Sequence, residues 1–112
     1  MVTLETLYGA VEAGGTKFVC MVGTGPADVR EQTRFATTTP AETLLETVQF
    51  LRSAESRFGK LASVGIASFG PLDLRTDSPT FGFITSTPKA GWANVDIAGA
   101  VRAGLRVRVG ID

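Results

Sequence analysis

One hundred and twelve residues, 44% of them apolar, suffice for one folded domain and are too hydrophobic for a disordered chain. Basic and acidic residues balance at 11 each, so no cationic excess exists to neutralise a nucleic-acid backbone. Histidine is absent and Cys20 is the single cysteine, which excludes Ser-His-Asp and Cys-His catalysis, histidine metal sites and an internal disulfide within this chain.

No apolar run reaches the roughly 18 residues of a membrane helix, and Met1 opens no signal-peptide pattern. With an unpaired cysteine, this predicts a cytoplasmic protein without membrane contact. Cys20 has only apolar neighbours and reads as a buried strand thiol rather than a nucleophile.

Three strands are predicted over about 6–12, 17–23 and 28–37, as an antiparallel meander. The second, Phe18-Val-Cys-Met-Val22, is apolar on both faces, as expected of a strand covered from both sides. Between the first two lies Glu12-Ala-Gly-Gly-Thr-Lys17. Glycines without side chains let backbone N–H groups approach a ligand, and a hydroxyl, an ammonium and a carboxylate flank them, a set suited to a magnesium-bound polyphosphate. Gly14-Gly15 is equally what a plain type I′ hairpin needs, with positive φ at both central positions. Glu12 favours the functional version, because an unpaired carboxylate ending an apolar strand must face solvent or a cation. Gly23-Thr-Gly25 is a connecting turn; Asp28 stands where a dinucleotide fingerprint needs its third glycine.

A helix comes next. Thr39 is its expected N-cap, Pro40 occupies the first position, and Glu42 completes a capping box. Leu44, Leu45, Val48, Leu51 and Phe58 form the expected inward stripe, and Gly59 ends the helix. Val64–Phe69 is the next strand, parallel to its neighbour because a helix precedes it. From Gly70 to Trp92 the chain is polar and rich in Pro, Gly and Thr, a long irregular stretch of the kind that carries function. Asn94 is expected to cap a short helix with Ile97, Val101 and Leu105 inward. Leu105, Val107, Val109 and Ile111 then alternate with polar residues as a half-buried strand. The predicted architecture is an α/β mixed sheet in the order β-β-β-α-β-α-β, with no internal repeat.

Three segments in order carry a resemblance. Glu12-Ala-Gly-Gly-Thr-Lys17 resembles the first phosphate motif of the ROK group of sugar kinases and repressors, within the actin/hexokinase-like superfamily. Ala67-Ser-Phe-Gly-Pro-Leu-Asp73 and Thr85-Ser-Thr-Pro-Lys-Ala-Gly-Trp92 resemble its bacterial fructokinase branch. The likeness covers nearly the whole chain and implies the N-terminal part of an RNase H-like (actin-like ATPase) fold spanning residues 1–112, with the second domain absent.

The resemblance further implies an ATP-dependent hexose kinase lobe, fructose being the expected substrate, with Mg2+ bridging the phosphates. It places Gly14, Gly15, Thr16 and Lys17 at the phosphates and Glu12 at the metal through water. Gly70, Pro71, Thr87, Pro88, Lys89, Gly91, Trp92 and Asn94 fall near the sugar. Each has a structural alternative: Gly70-Pro71 as a strand end, Trp92 as a packing residue, Lys89 as a solvated charge, Asn94 as a cap.

Val109-Gly-Ile-Asp112 fits the opening of the family pattern leading to an Asp-x-Asn segment, whose aspartate accepts the sugar proton. That base is expected just beyond Asp112, so no catalytic residue is assigned here. The adenine-contacting half and the His/Cys zinc ligands of the intact family are likewise missing, and the isolated chain is expected to be inactive. A homodimer is an option for the intact protein. Readings left open are a kinase for glucose, mannose or an amino sugar, and a non-catalytic nucleotide- or sugar-binding fragment. A repressor of the same group would carry a helix-turn-helix before the hairpin, where seven residues precede Tyr8.

Overall fold

A computed structural model describes residues 5–112. The chain runs β1 (Leu7–Ala13), β2 (Lys17–Gly25), β3 (Asp28–Ala36), α1 (Pro40–Phe58), β4 (Leu61–Ser68), β5 (Phe83–Ile84), β6 (Val95–Asp96), α2 (Ile97–Leu105) and β7 (Arg108–Ile111). Five strands form one sheet in the order β3-β2-β1-β4-β7. The meander is antiparallel, and β4 and β7 join parallel to β1, as a strand entering after a crossover helix should. The expected order therefore holds, with one addition. β5 and β6 pair as a small second sheet inside the stretch read as irregular. Two-residue strands leave no periodicity to read in a sequence.

Alternation decides which side chains meet the helices. Leu7, Val11 and Ala13 of β1, Phe18, Cys20 and Val22 of β2, and Val64 and Ile66 of β4 are buried with Leu51, Ala54, Ile97, Val101 and Leu105 from the helices. Both helices lie on this one side. On the opposite face of β2, Val19 is buried and Met21 half-buried, while the neighbouring Tyr8 of β1 is 45% exposed.

Helix α1 is rotated from its expected stripe. Thr43, Thr47, Leu51 and Ala54 are its buried residues, whereas Leu45 is 57% exposed and Phe58 lies at the surface beneath the Arg57 guanidinium. Threonines can face inward because their hydroxyls are satisfied locally. Thr47 Oγ1 donates to the Thr43 carbonyl at 2.8 Å, and Thr43 Oγ1 accepts from the Thr38 N–H at 2.9 Å. Thr39 does cap the helix, accepting from the Glu42 N–H at 3.2 Å. The reciprocal half of the capping box differs: the Glu42 carboxylate accepts hydrogen bonds from the Thr38 and Thr39 hydroxyls. Gly59 closes the helix at φ 117°, its N–H on the Glu55 carbonyl.

The second helix is capped by Asp96, which accepts from the Gly99 N–H at 2.8 Å, and not by Asn94. Asn94 instead takes a left-handed turn at φ 62° just before β6. Ile97, Val101 and Leu105 point inward as expected, and Arg106 at φ 56° ends the helix before β7 begins.

Candidate functional site

The carboxyl ends of β1, β4 and β7 lie side by side, since Phe69 donates its N–H to the Ala13 carbonyl at 2.8 Å and Ser68 to that of Asp112 at 2.9 Å. Open α/β sheets bind ligands at this end of their parallel strands. A groove of about 540 Å3 lies there, lined by Glu12, Gly14, Gly15, Thr16, Lys17, Ser68 and Asp112 among others. The whole sequence-predicted phosphate motif is thus gathered in one place. Sequence alone does not assign Ser68 and Asp112 to it; only the parallel pairing of β4 and β7 brings them in.

The turn between β1 and β2 is not a type I′ hairpin, because neither Gly14 nor Gly15 has positive φ. Its two glycines do different work. Gly14 serves the turn: its N–H donates to the Lys17 carbonyl at 3.0 Å, and a Cβ on it would stand 2.7 Å from that same oxygen. Gly15 has open space, with nothing within 4 Å of where a Cβ would lie. The turn is clamped from behind, where Thr37 donates its hydroxyl to the Gly14 carbonyl at 2.7 Å and its N–H to that of Thr16 at 2.9 Å. Among the described residues the N–H groups of Gly15 and Thr16 have no protein partner. Two free amides on a braced turn are donors for an external anion.

Lys17 and Thr16 are exposed beside these amides, and Lys17 makes no ion pair among the described residues. Glu12 is exposed on the groove wall, one strand from Ala67 and in the same groove as Asp112. Two carboxylates, a threonine hydroxyl and solvent access match the oxygen donors that magnesium takes. Zinc does not fit: the chain has no histidine, and Cys20 is wholly buried.

The residues expected near the sugar divide. Gly70-Pro71 is a cis peptide directly beyond Phe69, and the Pro71 carbonyl accepts from Thr85 through both its N–H at 2.8 Å and its hydroxyl at 3.1 Å. Thr87 accepts from the Lys89 N–H at 3.3 Å, so residues 87–89 form a tight turn with Pro88 exposed and Lys89 half-buried. Gly91, at φ 85°, and Asn94 are exposed. None of these residues lines the groove beside Gly14–Lys17.

Trp92 departs from its expected role. Its side chain is fully buried, tilted against Phe18 and edge-on to Phe69 at centroid distances of 5.9 and 5.6 Å, and its indole N–H donates to the Thr38 carbonyl at 2.9 Å. With its faces covered and its polar end paired, it is a pillar under the segment and offers nothing to a ligand.

A profile described as the ROK family matches residues 8–112. The chain belongs to the ROK family. Curated relatives of similar sequence include fructokinases from Streptococcus mutans (49% identical over 93% of this chain), Zymomonas mobilis (41% over 96%) and Lactococcus lactis (38% over 95%). The chain spans about a third of their length: 34%, 36% and 35% respectively.

Among solved structures, the ROK hexokinase from Thermus thermophilus superposes with a TM-score of 0.76 at 18% identity, covering 96% of this chain and 35% of that one. A ROK glucokinase from Streptomyces griseus, in complex with glucose and AMPPNP, gives 0.66 at 21% identity, covering 95% and 32%. The fold is therefore the actin/hexokinase-like one of ROK proteins, as the resemblance implied.

Proposed function

We propose that this chain is the N-terminal lobe of an ATP-dependent hexose kinase acting on fructose, and that the braced turn Gly14–Lys17 receives the terminal phosphates. The observation that carries this reading is the pair of unpartnered amides at Gly15 and Thr16, beside a free Lys17, in a groove walled by Glu12 and Asp112. The fructokinase activity of the curated relatives, at 37–49% identity, supports fructose over other hexoses.

Phosphoryl transfer rests on positioning and on stabilising charge as it develops. The Gly15 and Thr16 N–H groups would donate to the phosphate oxygens from a turn that Thr37 holds from behind. Lys17 adds a mobile positive charge. Glu12 and Asp112 would hold magnesium, which neutralises phosphate charge when bound.

The rim of the sugar cleft is formed by the Gly70-Pro71 turn with Thr87, Lys89, Gly91 and Asn94, set by Trp92 beneath. Asp112 is held by main-chain bonds to Ile66 and Ser68 at the edge of the same groove.

The test is a coupled assay of ATP-dependent fructose phosphorylation on the protein at the full length of its relatives. Turnover on fructose exceeding that on glucose and mannose supports the assignment; no transfer to any hexose contradicts it. Appreciable turnover by residues 1–112 alone contradicts the placement of the base outside them.

A further inference from the structure

Between Leu72 and Ile84, which bridge each other, the chain makes an excursion over residues 74–81 that lacks regular structure and is mostly exposed. Apolar packing does not hold it: Leu74 is 44% exposed. Asp73 sits at its base with a side chain only 4% exposed.

Five donors converge on that one carboxylate. Oδ1 accepts from the Arg75 N–H at 3.1 Å and from Arg75 Nε at 3.2 Å. Oδ2 accepts from Arg75 Nη2 at 3.2 Å and from the hydroxyls of Ser78 and Thr80, both at 2.6 Å. The main chain of the same residue grips the other side: the Asp73 N–H donates to the Phe83 carbonyl at 3.0 Å, and its carbonyl accepts from the Gly82 N–H at 2.8 Å.

The rim begins immediately after this grip. Phe83 and Ile84 pair with Asp96 and Val95, Thr85 binds the Pro71 carbonyl, and the Asn94 N–H donates to the Thr85 carbonyl at 3.1 Å. Both ends of the Thr85–Asn94 segment therefore hang from strands whose height Asp73 fixes. The Gly70-Pro71 turn hangs from its other side.

We propose that Asp73 is a positioning residue, whose fully paired carboxylate locks residues 74–83 and thereby sets the rim against which the sugar is held. This rests on the kinase reading for its ligand, but the mechanical link from Asp73 to Thr85 and Asn94 does not. The pairing also holds the carboxyl far below the usual carboxylate range, chiefly through the Arg75 guanidinium and then the two hydroxyls, so the lock stays charged at any physiological pH.

The test compares Asp73→Asn with the double variant Ser78→Ala/Thr80→Val, which removes the two shortest bonds from outside and leaves the buried carboxylate in place should Asp73→Asn fail to fold. In the full-length protein, the KM for fructose should rise on the order of tenfold, since a displaced binding wall loses alignment, while the KM for ATP stays within about twofold. In the 112-residue chain, hydrogen exchange at the Thr85 and Asn94 amides should quicken on the order of tenfold.

An unchanged fructose KM despite faster exchange would show that Asp73 serves only the excursion. Equal rises in both KM values would show a general loss of structure; either overturns the proposal. If the unaltered protein phosphorylates no sugar, the kinase reading fails separately. Exchange at Thr85 and Asn94 then still decides the lock, an unchanged rate refuting it and a faster one upholding it.

Discussion

Trp92 donates its indole N–H to the Thr38 carbonyl at 2.9 Å, joining the segment after β5 to the start of α1 across 54 positions of sequence. Its ring packs on Phe18, just past the phosphate turn, and on Phe69, which precedes Gly70-Pro71. One side chain thus fixes the spacing of both walls of the candidate cleft. Trp92→Ala should cost about 3–5 kcal/mol by cavity formation. Trp92→Phe, which keeps most of the ring and loses the hydrogen bond, should cost roughly 1 kcal/mol. Urea unfolding of the chain measures both, and a Trp92→Ala loss below about 1 kcal/mol would mean the pillar bears no weight.

The two glycines of the phosphate turn should separate stability from binding. Gly14→Ala drives a Cβ toward the Lys17 carbonyl oxygen, 2.7 Å away, and should destabilise by roughly 1–3 kcal/mol. Gly15→Val meets no protein atom and has no positive φ to forbid it, so the fold should keep its melting temperature within a few degrees. Its side chain would nonetheless occupy the space over the free amides. Full-length Gly15→Val is expected to lose ATP affinity without losing structure, read by calorimetric titration beside a thermal melt.

Burial, the dominant cause, pushes the Cys20 thiol from 9.0 up to about 12. The sign comes from proton counts. Above about pH 9 the unfolded chain releases this proton and the folded chain keeps it, so stability present below pH 9 is lost progressively toward pH 12. The slope from this one group is at most about 1.4 kcal/mol per pH unit. At pH 8 a thiol-specific reagent should modify Cys20 only at the rate of unfolding; immediate labelling of the native chain would contradict its burial.

Thr39→Ala removes the side-chain acceptor of the Glu42 N–H and should cost about 1 kcal/mol. Thr47→Val, on the buried face, deletes a hydroxyl that already bonds within the helix and keeps the volume, so its cost should be smaller. A reversed order, by denaturant midpoints, would show that the buried Thr47 hydroxyl contributes more than its bond to the Thr43 carbonyl accounts for.

These two threonines mark the boundary of what is legible in the sequence. Alternation along β1 and the Thr39-Pro40 start of α1 are local signals, and each produces its element within a residue or two, whereas β7 begins only at Arg108 because Leu105 closes α2. The inward face of α1 is not legible in that way, because Leu45 and Phe58 look like core residues while Thr43 and Thr47 do not. Only the bonds from Thr38 and to the Thr43 carbonyl reveal why threonine can be buried there.

The Gly14-Gly15 turn is legible as composition, but its division of labour is not. That Gly14 closes the turn and Gly15 leaves it open depends on how near the Lys17 carbonyl comes to each, which no spacing encodes. Trp92 reads both ways, and the choice lies with Thr38, far away in sequence. Asp73 stands in a recognisable segment, yet its five bonds come from a loop whose polar composition gives no hint of a common centre.

The central claim, that the turn after β1 grips terminal phosphates, is tested most directly by amide NMR of the chain titrated with a nonhydrolysable ATP analogue and magnesium at millimolar concentration. Shifts concentrated at Gly15, Thr16 and Lys17, absent in Gly15→Val, are the expected result. Saturating analogue that leaves those three resonances unmoved would contradict it.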